Sequence, residues 1–366
     1  MSIRTKKIVL TATSDLTNDS RLIRICTTLS TSGYDVLLIG RRLKNSLPLN
    51  GLPYRQKRLR CLFNRTMLFY AEFNMRLLFR LLFTRADIIV ANDYDTLPGA
   101  TLAALLKGKR LVFDSHEHFT EVPELEGRGL VRRVWAAVGR LCIPRASLCY
   151  TVSESLAAEL TRLYRKEFMV IRNVPLLEGS PGERSSRTNP PTLLYQGALN
   201  RGRCIEDYIE CMHEIDGTLL IAGEGPLRKD LEKLADTGKT GDKVVFRGRL
   251  SSNQLSLLAR EATIGLNVLG SNSKSYYCSL ANKFFDYIHA QLPQVCIDFP
   301  EYRLINEEWE VAVLCGNSRQ QIEEAVRKLL SDAALYNRLR ENCIAAAGNL
   351  NWQNESKKLL DLYAGL

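Results

Sequence analysis

The sequence predicts an α/β protein of two doubly wound parallel-sheet domains facing a cleft, and three observations carry that prediction. Short β-branched runs alternate with helical patterns through most of the chain, as β-α-β units require. The length of 366 residues suits two domains at roughly 150 residues each. A stretch rich in Gly, Ser, Pro and Arg, LLEGSPGERSSRTNPP (176–191), interrupts the alternation near its middle and reads as a linker.

The elements follow in order. Strands are expected in KIVLTAT, DVLLIG, ADIIVAND, RLVFDS, LCYTVS and FMVIRNV, with helices between them, which makes 1–175 the first domain. A second series, PTLLYQG, GTLLIAGEG, KVVFRGR, ATIGLNV, QVCIDF and EVAVLC, makes 192–345 the second. From Ser331 the pattern is that of two helices, the last forming a C-terminal segment 346–366. Near-continuous apolar runs of this kind belong to strands buried on both faces. In such folds ligands bind outside the carboxyl ends of the strands.

Composition narrows the function classes. Hydrophobic residues at 45% and charged residues at 25% supply a core and exclude a disordered or collagen-like chain. No apolar stretch reaches the roughly 18 to 20 residues of a membrane span. The start, MSIRTKKIVLTATSD, has no leader-type apolar region, so the chain is expected in the cytoplasm. Ten cysteines without any C-x-x-C spacing read as reduced core thiols rather than as a zinc site or a disulfide framework.

The net charge of +10 is unevenly placed, because Arg41 to Arg65 holds eight cations and no carboxylate. That segment reads as a basic loop. The apolar run Met67 to Phe83 follows it, with Glu72, Arg76 and Arg80 on one narrow helical face. Together they suggest a peripheral contact with an anionic membrane on its cytoplasmic face, against the alternative of an ordinary buried helix. Nucleic acid is not expected, since no binding motif accompanies the charge.

A nicotinamide-binding reading fails in the first domain. It needs G-x-G-x-x-G after the first strand, and the first glycine of the chain is Gly33. In the second domain Gly223-Glu224-Gly225 follows a strand and precedes Pro226; Gly223 is a candidate ligand contact or a tight strand-to-helix turn.

Several segments together resemble the GT-B fold glycosyltransferases of retaining family 4, across nearly the whole chain. Tyr195-Gln196-Gly197-Ala198-Leu199 with Arg203 is similar to the family's G-R-L-x-x-x-K-G segment, with Gly197 at its glycine, Ala198 at its arginine and Arg203 at its lysine. Those cations hold the donor diphosphate in the family. Arg203 is therefore the expected catalytic cation and Arg201 the candidate to compensate for Ala198. Fixed cations at a helix start stabilise the charge that a departing diphosphate gains. The segment Ser279-Leu280-Ala281-Asn282-Lys283-Phe284-Phe285-Asp286-Tyr287 resembles the family's acidic motif. Asp286 matches its second carboxylate, which takes the donor ribose, and Cys278 stands at its first. Ser279, Asn282 and Lys283 fall in a variant helix start that would meet phosphate. In the first domain, Asn92 to Pro98 and Leu111 to Glu117 resemble acceptor-side segments, with His116 where the family keeps a catalytic histidine at the end of a strand. His116-x-His118 lacks a third metal ligand, and His118 reads as a loop histidine.

The resemblance implies two Rossmann-like domains and a hexosyltransferase. It would move a sugar with retention from a nucleotide-sugar donor to a glycan or lipid-linked acceptor, in surface polysaccharide biosynthesis, with no cofactor and no metal. A nucleotide-sugar epimerase or hydrolase, or a non-catalytic nucleotide-sugar-binding scaffold, remains the alternative.

Overall fold

The computed structural model describes residues 5–17, 19–49, 51–121, 127–178, 190–238, 240–271 and 274–366. The chain divides into two compact units: Met1–Asn173 with Glu355–Leu366, and Val174–Asn354. Most of the expected linker, 179–189, lies outside the described residues.

Unit 1 runs β1 (Lys7–Thr11), α1 (Ser20–Thr31), β2 (Asp35–Arg42), β3 (Arg55–Arg60), α2 (Thr66–Leu82), β4 (Ile88–Asn92), α3 (Leu97–Lys107), β5 (Arg110–Ser115), α4 (Gly129–Cys142), β6 (Leu148–Thr151), α5 (Glu154–Tyr164) and β7 (Met169–Val170). These strands form one parallel sheet in the order β3-β2-β1-β4-β5-β6-β7. Unit 2 runs β8 (Thr192–Gln196), α6 (Ile205–Cys211), β9 (Thr218–Ala222), α7 (Arg228–Thr237), β10 (Val244–Gly248), α8 (Ser252–Glu261), β11 (Ile264–Asn267), α9 (Lys274–Tyr277), α10 (Asn282–His289), β12 (Gln294–Ile297), α11 (Pro300–Trp309), β13 (Ala312–Cys315), α12 (Arg319–Ser331), α13 (Ala333–Asn349) and α14 (Trp352–Ala364). Its sheet has the order β10-β9-β8-β11-β12-β13, again parallel. From Glu355 onward α14 belongs to unit 1, where the Tyr363 hydroxyl meets that of Tyr150 at 3.3 Å.

Both sheets reverse their strand order once, between β1 and β4 and between β8 and β11. At such a switch the outgoing loops diverge and leave room for a ligand. The central strands are apolar throughout because helices cover both faces; Ile8, Leu10, Ile89 and Val90 are buried completely. In α2 the residues Phe69, Phe73, Leu77 and Leu81 recur every four positions and face the sheet.

One expectation is corrected. The basic segment is not simply a loop: Arg41 and Arg42 end β2, and Arg55–Arg60 forms the edge strand β3, paired with Leu37–Arg42. RQKRLR carries no apolar alternation because an edge strand needs none, and its cations keep other chains from pairing with the open edge.

A buried ion pair fixes α1 to the sheet. The Arg21 guanidinium donates to both oxygens of Asp114 at 3.0 and 2.8 Å and to the Ile171 carbonyl at 2.9 Å. Both partners are almost wholly buried. Burial alone would raise the Asp114 carboxyl, but Arg21 and then His116 reverse this and hold it at about 2. Arg21→Met leaves that carboxylate without its main counter-charge and is expected to cost about 3–5 kcal/mol, read as a fall in the unfolding free energy. Adding Asp114→Asn should recover part of the loss.

Candidate functional site

In unit 2 the polar groups gather where β8 ends. Tyr287 on α10 donates from its hydroxyl to the Leu194 carbonyl at 3.0 Å and accepts from the Gln196 amide at 3.3 Å. Gly265 makes this approach possible, since a Cβ there would come within 2.5 Å of the Tyr287 ring. One face of α10 is thereby docked on the end of β8. Residues three and four positions apart share that face, so Lys283 and Asp286 are brought to the strand end with Tyr287.

Lys283 is buried, and its ammonium lies 3.9 Å from the centre of the Tyr195 ring. It has no hydrogen-bond partner. Burial, and then the charge of Arg203, hold it well below the ordinary lysine value. Arg203, half-buried in the loop before α6, lies over the Tyr276 ring at 5.0 Å and has a buried Nε without a partner. Gly202 adopts φ +76, and a Cβ there would lie 2.7 Å from Tyr276. Asp286 accepts from Gln196 Nε2 at 2.8 Å. Gln196 Oε1 and, at the end of β11, Asn267 Oδ1 are buried without partners. Four orphaned polar atoms on one sheet edge mark a place for a polar ligand, because buried polar groups otherwise find partners.

The remaining predicted residues distribute as follows. Gly197 follows β8 with φ +140, and a Cβ on it would lie 3.9 Å from Lys283 Nζ. Gly223 is demanded by packing, since a Cβ there would strike the Gly197 carbonyl oxygen at 1.8 Å. Ser279 donates its hydroxyl to the Tyr276 carbonyl at 2.7 Å. Asn282 opens α10, which has no side-chain cap, and Cys278 is buried. The Arg201 side chain is exposed, while its carbonyl accepts from Tyr276 at 3.1 Å.

In unit 1, His116 leaves β5 and is clamped by two carboxylates. Its Nδ1 meets Asp93 at 3.0 Å, its Nε2 meets Asp114 at 3.1 Å, and its backbone N–H donates to Asp93 at 2.9 Å. Burial opposes the charged ring, but Asp93 and Asp114 outweigh it and raise the imidazole well above its ordinary value. A carboxylate within hydrogen-bond distance of each ring nitrogen favours the imidazolium form of His116. His118 lies in the loop after β5 and is buried, 3.8 Å from Glu159 and 3.4 Å from Thr120. Among the described residues no cluster suited to a metal ion occurs.

Asp95, in the loop between β4 and α3, has no role in the sequence reading, although its place three residues beyond a strand end was the available signal. One oxygen accepts from Thr13, the other is buried without a partner, and burial followed by Asp93 pushes the carboxyl up to about 7. A folded value above the unfolded one means that this group's contribution is intact near pH 4 and is lost as pH rises through 7. The thermal midpoint of Asp95→Asn, relative to the parent chain, should therefore shift in the variant's favour between pH 4 and 7 and level off above.

Residues 20–174 match Glycosyltransferase Family 4 and residues 180–346 match Glycosyl transferases group 1. An alpha-D-kanosaminyltransferase of Streptomyces kanamyceticus is 28% identical over 167 residues, 44% of this chain and 42% of that protein. Among solved structures, a sucrose-phosphate synthase from Thermosynechococcus elongatus aligns with TM-score 0.79 at 16% identity, over 98% of each chain. Anabaena HepE in complex with UDP-glucose aligns with TM-score 0.76 at 14% identity, over 98% of this chain and 100% of that one. Residues 20–174 and 180–346 thus each belong with a glycosyltransferase family, and the two parallel-sheet units have the GT-B fold.

Proposed function

We propose that unit 2 binds a nucleotide-sugar and that the chain transfers the sugar, a hexose, with retention, to a glycan or lipid-linked acceptor bound at the strand ends of unit 1. The setting is surface polysaccharide assembly at the cytoplasmic face of an anionic membrane, with the basic Arg41–Arg65 segment contributing attraction. The observation that carries the reading is the pair of basic side chains, Lys283 and Arg203, at the end of β8: each lies over an aromatic ring, Lys283 Nζ has no hydrogen-bond partner, and Arg203 disfavours the charge of Lys283. A nucleoside diphosphate would supply the missing anion. As the glycosidic bond breaks, the leaving diphosphate gains negative charge, and cations already in place stabilise it without reorganisation.

Roles follow from position. Gly197 lets the phosphates approach the backbone. Arg203 and Lys283 hold them, joined by exposed Arg201 and by Asn282 and Ser279 at the start of α10. Asp286, oriented by Gln196, accepts from ribose hydroxyls, and Gly223 keeps the neighbouring strand end close. His116 acts as a fixed imidazolium and not as a base, since neither ring nitrogen can accept a proton. UDP-glucose, the ligand of the HepE complex, is the first donor to test.

Arg203→Ala should lower turnover with the active donor by roughly 10²-fold, measured as initial rate against a panel of UDP-, GDP- and other nucleotide sugars; full activity would remove Arg203 from the reaction. For Lys283 the test is proton linkage. Its amine sits below the ordinary value when free and is raised by a bound diphosphate, so binding takes up a proton and affinity falls as pH climbs between the two values. Calorimetry of UDP binding in buffers of different ionisation enthalpy should register that uptake, and Lys283→Arg should bind UDP without it.

A further inference from the structure

Helices α2, α3 and α4 form one layer over the first sheet. Helix α3 packs between the other two; the Gly99 N–H donates to Asn74 at 2.9 Å, and Tyr70 meets Trp135 edge-on at 5.1 Å. Exposed apolar side chains stand on all three helices of this layer, among its cations. Phe79 and Phe83 are 57% and 85% exposed, Leu105 and Leu106 are 55% and 63%, and Leu130 and Leu141 are 77% and 62%. Single exposed apolar residues need no explanation, whereas rows on adjacent helices mark a contact surface.

The charge of the layer is of one sign. Its three helices carry six cations and one carboxylate, Glu72. Glu72 is committed: it accepts from the Leu62 and Phe63 amides, both at 2.9 Å, and from Arg76 at 2.7 Å. A second copy of the chain docked here would oppose like charges. An anionic bilayer meets both features, since the apolar side chains enter the acyl boundary and the cations face phosphates.

The layer also ends in a cavity of about 640 Å³ lined by Lys7, Phe83, Arg85, Asp87, Lys107 and Lys109. The Lys107 ammonium donates to the Leu81 and Thr84 carbonyls, which cancels the partial negative charge at the end of α2. Lys109 lies 3.6 Å from Asp87. The balance of the lining is positive, beside the exposed Phe83 ring.

We propose that the outer surface of α2, α3 and α4 seats on an anionic lipid bilayer and that the cavity at the ends of α2 and α3 receives a headgroup phosphate. This rests on the peripheral contact proposed above, extends its apolar part from one helix to three, and gives it a headgroup site.

The test is co-sedimentation of the full chain with vesicles of phosphatidylcholine alone and of phosphatidylcholine with phosphatidylglycerol, at low and physiological salt. The parent chain should bind only the anionic vesicles and release as salt rises. Phe79→Glu with Leu106→Glu should abolish binding. Arg85→Glu with Lys109→Glu should weaken it by at least roughly fivefold per cation, with millimolar glycerol 3-phosphate failing to compete. Circular dichroism and UDP calorimetry check that each variant is folded. Undiminished binding by either variant overturns the proposal, as does complete release by Arg55→Glu with Lys57→Glu alone, because β3 is expected to add attraction and not to carry the contact. A parent chain that is dimeric at low salt, and monomeric in the Phe79→Glu and Leu106→Glu variant, would make the surface a self-association face and overturn it too. Vesicle binding without UDP binding would fault the donor-site reading and leave this one standing.

Discussion

A lysine ammonium buried without an anion is the constraint around which unit 2 is arranged. Desolvating a charge costs several kcal/mol unless something replaces its water, and for Lys283 the Tyr195 ring does so only in part. The fold tolerates this because Tyr287, on the same helix, ties α10 to β8 through two hydrogen bonds. The stability that holds Lys283 in place is thus supplied one turn away from it. On the donor-site proposal, an arriving diphosphate meets an amine that has already lost its water and that takes up a proton as the anion binds, so the attraction is not spent on removing solvent.

Unit 1 treats charge in the opposite way. Arg21, Asp114, His116 and Asp93 form a chain in which each carboxylate oxygen of Asp114 and Asp93 has a donor. Such a saturated network fixes geometry and attracts little. The two strand ends thus differ in their electrostatics: buried polar groups without partners in unit 2, paired charges in unit 1. Asp95, outside that network, keeps a buried oxygen without a partner.

The architecture was legible because strands covered on both faces must be apolar, and runs such as KIVLTAT or TLLIAG announce themselves. The strand β3 was not, because an edge strand of RQKRLR obeys no burial pattern. The spacing of Lys283, Asp286 and Tyr287 on one helix face could be read in advance. What each touches could not, since Lys283 meets Tyr195 from another strand and the partner of Asp286 is Gln196, 90 positions away. Arg21 looks in sequence like a solvated helix cation, and its partner is 93 residues distant. Nor does any local pattern separate Gly223, which packing requires, from Gly197, which borders the cations.

The two departures from the family segment find different physical settings. Ala198 removes an arginine from the loop after β8, and Arg201 was the expected substitute. Yet the Arg201 side chain is exposed, whereas Lys283 Nζ stands 3.9 Å from where a Gly197 side chain would begin. Two cations therefore remain at this strand end, one drawn from the loop and one from α10. Cys278 is different, for burial and the absence of a charge leave nothing there to hold a sugar hydroxyl as a carboxylate would. Gln196 Oε1 and Asn267 Oδ1, at the same strand ends, are buried acceptors without donors. Neutral acceptors of that kind discriminate by geometry rather than by charge, because a misplaced hydroxyl leaves them unpaired at the full desolvation cost.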